Sequence, residues 1–284
     1  SADRPVMILS GNSIEHALLN QAAMQAGVPA APVSQAYSLI SQDHSKLKYV
    51  FELLKPGLIL VQYGPPFERA LKALDLTGVE IVHVDMPPDD IKSTPWSELV
   101  ATEATADVER AIAALGPTTI GKFLFTSGST GMPKAVINTQ EMMCANVAMG
   151  RQARPRQKGE PTPVILDWLP WNHTMGGNAA FHALLAEGGT LYIDDGKPIP
   201  GMFEETLRNL REVSPTSYSN VPAGYAAIAS ALEKDDALAR NFFKQLSAIS
   251  YGGATLPDDL YDRMQALAIK YTGQRIVFFT GWGS

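Results

Sequence analysis

The sequence predicts an α/β fold in which wound, mostly parallel sheets are flanked by helices. Apolar runs of strand length recur along it, among them Val6–Leu9, Leu58–Val61 and Val79–Val84. Stretches with helical apolar spacing separate these runs. Gly, Pro, Ser or Asn punctuates the junctions between them. Strand and helix in alternation form a sheet with helices packed on it, and such sheets take ligands at the carboxyl ends of their strands.

The first run, Val6–Leu9, empties into Ser10-Gly11-Asn12-Ser13, where Ser13 can cap a helix. Ile14, Ala17, Leu18, Ala22 and Met24 give that helix its apolar positions, and Gly27 stops it. Val28–Val33 carries prolines and is expected as an edge strand or an extended loop. A helix over Leu47–Leu54, Pro56-Gly57 and a strand over Leu58–Val61 make the next unit. Helix Phe67–Leu74 and strand Val79–Val84 make a third. Pro87–Pro95 reads as a surface link. Ala104–Leu115 is an alanine-rich helix closed by Gly116-Pro117, which sets the expected division into subdomains 1–116 and 117–284.

The second run of alternating units opens on Phe123–Asn138. An aromatic strand, Phe123-Leu124-Phe125, gives way to Thr126, Ser127, Gly128, Ser129, Thr130 and Gly131. Lys134 follows Pro133, and a β-rich run takes over at Ala135–Ile137. Two glycines allow backbone N–H groups to turn toward a ligand, hydroxyls add uncharged donors, and Lys134 adds a charge. A polyphosphate cradle and a plain polar hairpin both fit these residues. The commonest phosphate loop does not: Gly128 and Gly131 are three apart, and Ala135 stands where a hydroxyl would be needed.

Helix Gln140–Met149 is expected to place Met142, Met143 and Cys144 in the core. Arg151, Arg154, Arg156 and Lys158 read as a solvated basic loop. Strand Val164–Leu169 leads into Pro170-Trp171-Asn172-His173-Thr174-Met175-Gly176-Gly177, and a helix is expected over Ala179–Leu185. This stretch is either a pocket lip or a capped helix start with a stacked Trp. Strand Thr190–Ile193, helix Phe203–Arg211, extended Thr216–Ser219 and helix Ala223–Leu232 come next. Strand Ala248–Tyr251 enters Gly252-Gly253-Ala254, helix Pro257–Lys270 follows, and the last strand is Ile276–Phe279. The glycines after Tyr251 either admit a flat ring or phosphate to the backbone or simply make a tight turn.

Composition narrows the function classes. A net charge of −6, from 23 basic and 29 acidic residues, speaks against a general binder of nucleic acid or membrane surfaces. The lone cysteine, Cys144, forbids an intrachain disulfide and suits a reducing, cytoplasmic compartment. No apolar run is long enough to span a bilayer, and Ser-Ala-Asp-Arg-Pro is not a signal peptide. His16, His44, His83 and His182 lack metal-ligand spacing, and no metal site is expected. Gly128-Ser129-Thr130-Gly131 is one residue short of a hydrolase nucleophile elbow.

Thr126–Lys134 closely resembles the signature of the adenylate-forming enzymes: acyl-CoA synthetases, luciferases and peptide-synthetase adenylation domains. That signature runs Thr-Ser-Gly-Ser/Thr-Thr-Gly-x-Pro-Lys-Gly, and only Ala135 departs from it. Leu169-Pro170-Trp171-Asn172-His173 is similar to the family's segment beside the acyl carboxylate. Asp167–Asn178 as a whole looks most like the feruloyl-CoA synthase group.

The resemblance implies roles residue by residue. Thr126, Ser127, Gly128, Ser129, Thr130 and Gly131 would hold the β- and γ-phosphates of ATP, with Lys134 as the nearby charge. His173 would border the reacting carboxylate, and Trp171, Met175 and Tyr251 would line the acid site. Gly252, Gly253 and Ala254 would lie along the adenine, with Trp282, between Gly281 and Gly283, on its other side. The implied parent is an AMP-forming acid–CoA ligase using ATP, Mg²⁺ and coenzyme A on an aromatic acid such as ferulate. A benzoate, phenylacetate or fatty acid is the alternative, as is a non-catalytic nucleotide-binding fragment. The family's Mg²⁺ carboxylate and small C-terminal domain are not found in these residues. The chain is therefore expected to be an inactive piece of that ligase.

Overall fold

The computed structural model describes residues 1–126, 131–156 and 158–281. The chain forms two compact units. One holds Ser1–Gly150 with Trp171–His173, and the other holds Arg151–Pro170 with Thr174–Ser284. The boundary expected after residue 116 falls inside the first unit.

The first unit is built on β1 (Val6–Leu9), α1 (Ile14–Gln25), β2 (Ala30–Pro32), α2 (Ala36–Leu39), α3 (Ser45–Leu54) and β3 (Leu58–Val61). It continues with α4 (Gly64–Lys72), β4 (Glu80–His83), β5 (Thr94–Pro95), α5 (Trp96–Val100), α6 (Ala106–Ala113), β6 (Ile120–Thr126), β7 (Lys134–Thr139) and α7 (Gln140–Ala153). The strands make one sheet in the order β5-β4-β3-β1-β2-β6-β7. All neighbours are parallel except β7, which runs antiparallel to β6.

The central strands β1 and β3 are apolar throughout because the sheet is covered on both faces there. Met7, Leu9, Ile59 and Val61 pack into one cluster, and Val6, Ile8, Leu60 and Val82 into another. Adjacent residues point to opposite faces, which sorts the two sets. Helix α3 docks through Leu47, Val50, Phe51 and Leu54, one stripe at helical spacing. It ends at Lys55 in the left-handed region (φ 46), because Pro56 bars continued helix. Helix α4 begins at Gly64, three residues earlier than Phe67, because prolines are tolerated in a first turn whose N–H groups have no partner anyway.

Two expectations are corrected here. β2 is an interior strand, buried between β1 and β6. Val33 donates its N–H to Ile8 O at 3.0 Å, so the missing donor of Pro32 faces the other side. There the ladder to β6 consists of a single pair, Ala30 with Lys122, and the proline interrupts nothing. Helix α7 has no fully buried residue: Met142 and Cys144 are exposed, while Met143 is half-buried with its methyl against Gly121.

The second unit contains β8 (Val164–Asp167), a π-helix (Met175–His182), α8 (Ala183–Glu187), β9 (Thr190–Ile193), α9 (Phe203–Glu212), β10 (Ser217–Asn220) and α10 (Pro222–Leu232). After these come α11 (Asp236–Phe243), β11 (Ala248–Tyr251), α12 (Asp258–Thr272) and β12 (Val277–Thr280). β8 and β9 pair in parallel, and β10-β11-β12 form a second parallel sheet. Val164 O accepts from Thr216 N at 2.8 Å, which holds the start of β10 against β8. The core gathers Tyr218, Tyr225, Ile228, Phe242, Ile249 and Met264 from the strands and from α10, α11 and α12. Asp235 caps α11 by accepting from Leu238 N at 3.0 Å, and Gly273 (φ 76) closes α12. Among the described residues no helix is long and apolar enough to cross a membrane.

Candidate functional site

The carboxyl end of β6 in the first unit carries the predicted phosphate loop. β6 and β7 form a hairpin with Thr126 opposite Lys134. Ser127, Gly128, Ser129 and Thr130 lie outside the described residues. Gly131 has φ +83, and nothing stands within 4 Å of where its Cβ would be. The demand for glycine is therefore conformational rather than steric. Lys134 is exposed at the start of β7. Ala135 pairs with Phe125 and is not among the residues of positive φ. The single departure from the family signature thus sits in ordinary strand backbone.

Lys122, deeper in β6, was not singled out in the sequence. It is 1% exposed, and burial brings its ammonium down to about 7. A lysine inside an apolar strand covered on both faces is the signal that could have marked it.

The loop after β1 lies at the same end of the sheet. His16, on the first turn of α1, is buried, and its Nδ1 lies 2.9 Å from Gly11 O and 3.3 Å from Ser10 Oγ. Burial pulls the imidazole down to about 4, so it is neutral at physiological pH. Its ring meets Trp171 edge-on, with centroids 5.1 Å apart and planes at 76°. The N–H of Trp171 donates to Asn12 Oδ1 at 3.1 Å. Trp171 is 4% exposed, and His173 follows it in the same unit. The predicted Trp171 is thus held by two residues, Asn12 and His16, that carried no predicted role, and His173 lies two residues further along the chain.

The second unit carries the remaining candidates. Met175 opens a π-helix that starts four residues before the expected α-helix at Ala179. π-turns recur at functional sites. A Cβ on Gly176 would fall 2.5 Å from both Leu169 O and Pro170 O, so the helix can begin this close to the preceding turn only with glycine there. Met175 packs on Gly252: a Cβ on that glycine would lie 3.0 Å from the Met175 sulfur and 4.0 Å from Gly281 O. Tyr251 ends β11, and Thr280 Oγ1 donates to its carbonyl at 2.8 Å, locking the ends of β11 and β12 together. Gly253 has φ +84, and Ala254 is exposed beside it. Trp282 and Gly283 lie outside the described residues.

Asp167, at the carboxyl end of β8, was not picked as a site residue. Its Oδ1 accepts from Leu169 N at 3.1 Å, while its buried Oδ2 has no hydrogen-bond partner. Burial and, less strongly, the Asp194 carboxylate push it up to about 7. Asp194 itself accepts from Thr206 Oγ1, Asn209 Nδ2 and Gly196 N at 2.7, 2.9 and 2.9 Å. Among the described residues no group of three or more His, Cys, Asp or Glu is placed to hold a metal ion.

This α/β arrangement is the fold of the large domain of adenylate-forming enzymes. The luciferase-like enzyme from the nonluminescent Zophobas morio mealworm matches with a TM-score of 0.71 at 17% identity, over 100% of this chain and 60% of that one. A benzoate CoA ligase from Burkholderia xenovorans LB400 matches with a TM-score of 0.71 at 18% identity, over 98% and 51%. The AMP-binding enzyme family model matches residues 1–284, and the chain belongs to that family. Among curated proteins, 4-chlorobenzoate–CoA ligase from Pseudomonas sp. (strain CBS-3) is 25% identical over 268 residues, covering 92% of this chain and 45% of that protein. The chain spans about half the length of the curated relative and of the benzoate CoA ligase, and 60% of the luciferase-like enzyme.

Proposed function

We propose that this chain is the ATP- and acid-binding part of an AMP-forming acid–CoA ligase acting on an aromatic acid of the hydroxycinnamate type, such as ferulate. The observation that carries the reading is the contact of Met175 with Gly252. The residue assigned to the acid touches the element assigned to the adenine, as a site joining a carboxylate to an adenylate requires. The acid carboxylate attacks the α-phosphate of ATP and expels pyrophosphate. Coenzyme A thiolate then displaces AMP from the acyl-adenylate. Residues 126–131 would contribute backbone N–H donors and Lys134 a positive charge, so the chain's part is positioning and electrostatic stabilisation. Mg²⁺ would neutralise phosphate charge, and among the described residues no group of three or more His, Cys, Asp or Glu is placed to hold it.

The test is ATP–pyrophosphate exchange by the protein that carries this chain, with ferulate, benzoate, phenylacetate and a fatty acid compared. Ferulate-dependent exchange above the others is expected. Exchange with none of these acids overturns the ligase reading, and a preference for another acid overturns the hydroxycinnamate assignment. Calorimetric titration of the 284-residue chain with AMP and ATP shows whether it holds nucleotide by itself.

A further inference from the structure

In the first sheet the chain leaves β1 toward β2 on one side and then returns to β3 on the other. Strand order reverses there, and in open α/β sheets ligands settle at the carboxyl ends of the strands flanking such a point. What lies beside the β1 loop in this protein is a piece of the chain itself. The Trp171 N–H is bound by Asn12 Oδ1 at 3.1 Å, and the Trp171 ring meets buried His16 at 5.1 Å. His16 is in turn fixed from behind, its Nδ1 on Gly11 O and its backbone N–H on the capping Ser13 Oγ at 3.1 Å. The loop after β1 is therefore a preassembled seat, with one hydrogen-bond acceptor and one ring wall.

We propose that Asn12 and His16 are positioning residues, and that their seat for Trp171 sets the placement of His173 against the reacting carboxylate. This rests on the ligase reading for the role of His173, but not for the seat itself. Asn12 acts on the backbone of the segment, so it fixes the path of the chain. His16 acts on the ring, so it fixes the rotation about that path. A neutral imidazole suits this, because a buried charged ring would face the like charge of Lys122.

The test compares Asn12→Leu, which removes the acceptor, with Asn12→Asp, which keeps an oxygen in its place. Amide hydrogen exchange at Trp171 in the 284-residue chain is the first readout. Exchange about tenfold faster in Asn12→Leu, and near the wild-type rate in Asn12→Asp, is expected from the loss of one buried hydrogen bond. Reference amides in β11 should not change. Unchanged Trp171 exchange in Asn12→Leu overturns the proposal, and so does acceleration spread equally over β11, which would mark a merely structural residue.

The second readout is steady-state kinetics of the ligase containing this chain. Asn12→Leu and His16→Ala are expected to lower kcat with the acid about tenfold or more, with the KM for ATP within about twofold. A rise in the KM for ATP alone contradicts the assignment to His173. A wild-type protein without acid-dependent exchange defeats the ligase reading, while the Trp171 amide still decides whether the seat exists.

Discussion

Met175 and Gly252 are in van der Waals contact, and the glycine's missing Cβ is what makes room for the thioether. One methyl group at 252 would press on a flexible side chain that can give by a few tenths of an ångström. A branched side chain would not fit without moving Met175 off the strand end. Gly252→Ala is therefore expected to keep nucleotide affinity and stability within about 1 kcal/mol of wild type, and Gly252→Val to lose about 1–3 kcal/mol through overpacking. Urea unfolding of both variants, with AMP titration of each, measures this. Equal effects of Ala and Val would show that the contact does not matter.

Gly176 has less latitude, because its Cβ would meet two backbone carbonyls rather than a side-chain tip. Gly176→Ala should cost about 2–3 kcal/mol, in the range of forced core overpacking. Denaturant midpoints report the loss. A cost below that of Gly252→Ala would contradict the close approach of the π-helix to Leu169 and Pro170.

The buried Asp167 makes a pH prediction. Its carboxyl is moved from the usual 3.8 up to about 7, so the folded state binds the proton more tightly than the unfolded chain does. The contribution of this group is fully present below pH 4 and is lost as pH rises toward 7. The groups facing it are the Asp194 carboxylate and the buried phenols of Tyr218 and Tyr225. Asp167→Asn keeps an acceptor for Leu169 N and carries no charge. It should raise stability above pH 7 by a few kcal/mol, at about 1.4 kcal/mol per unit of displaced pKa. The gain should shrink toward pH 4, as thermal unfolding from pH 4 to 8 would show. A variant less stable than wild type at pH 8 would mean that the carboxylate is needed in its charged form.

Lys134 is exposed, so its removal should leave the fold alone. Lys134→Ala is expected to change stability by no more than about 0.5 kcal/mol while weakening ATP about tenfold through loss of a charge-assisted phosphate contact. AMP, without the β- and γ-phosphates, should bind within about twofold of wild type. Equal losses for ATP and AMP, read by calorimetry, would place the lysine elsewhere than at the terminal phosphates.

The parts of the fold that the sequence made legible were those in which local chemistry and packing agree. Thr190–Ile193 and Ala248–Tyr251 carry apolar strand pattern between turn residues and are strands over those residues. β2 was misjudged because the proline rule concerns hydrogen bonds, and which side of a strand keeps its ladder is a tertiary matter. Of the sulfur residues of α7, Met143 packs on Gly121 while Met142 and Cys144 face outward, because apolar type does not say which face finds a partner. The π-helix was invisible, since its start is dictated by Gly176 meeting two carbonyls from the preceding turn. At the candidate site, Lys134, Trp171, His173 and Met175 stood out through a motif. Asn12, His16 and Asp167 did not, because their meaning comes from neighbours distant in sequence. Trp171 lies 159 residues from Asn12.

The single pair joining β2 to β6 has a mechanical consequence. The strands from β5 to β2 form a continuous plate, each joined to the next by more than one residue pair. The β6–β7 hairpin is paired with that plate only at Ala30 and Lys122, with Pro32 two residues further along β2. Backbone pairing therefore ties the hairpin to the plate more loosely than the plate's strands are tied to one another, and its attachment rests instead on side chains such as Phe123 and Phe125 packed into the core. Should nucleotide be held at the end of this hairpin, as proposed above, its capture would show as slower amide exchange along β6 and β7 with little change in β1 and β3.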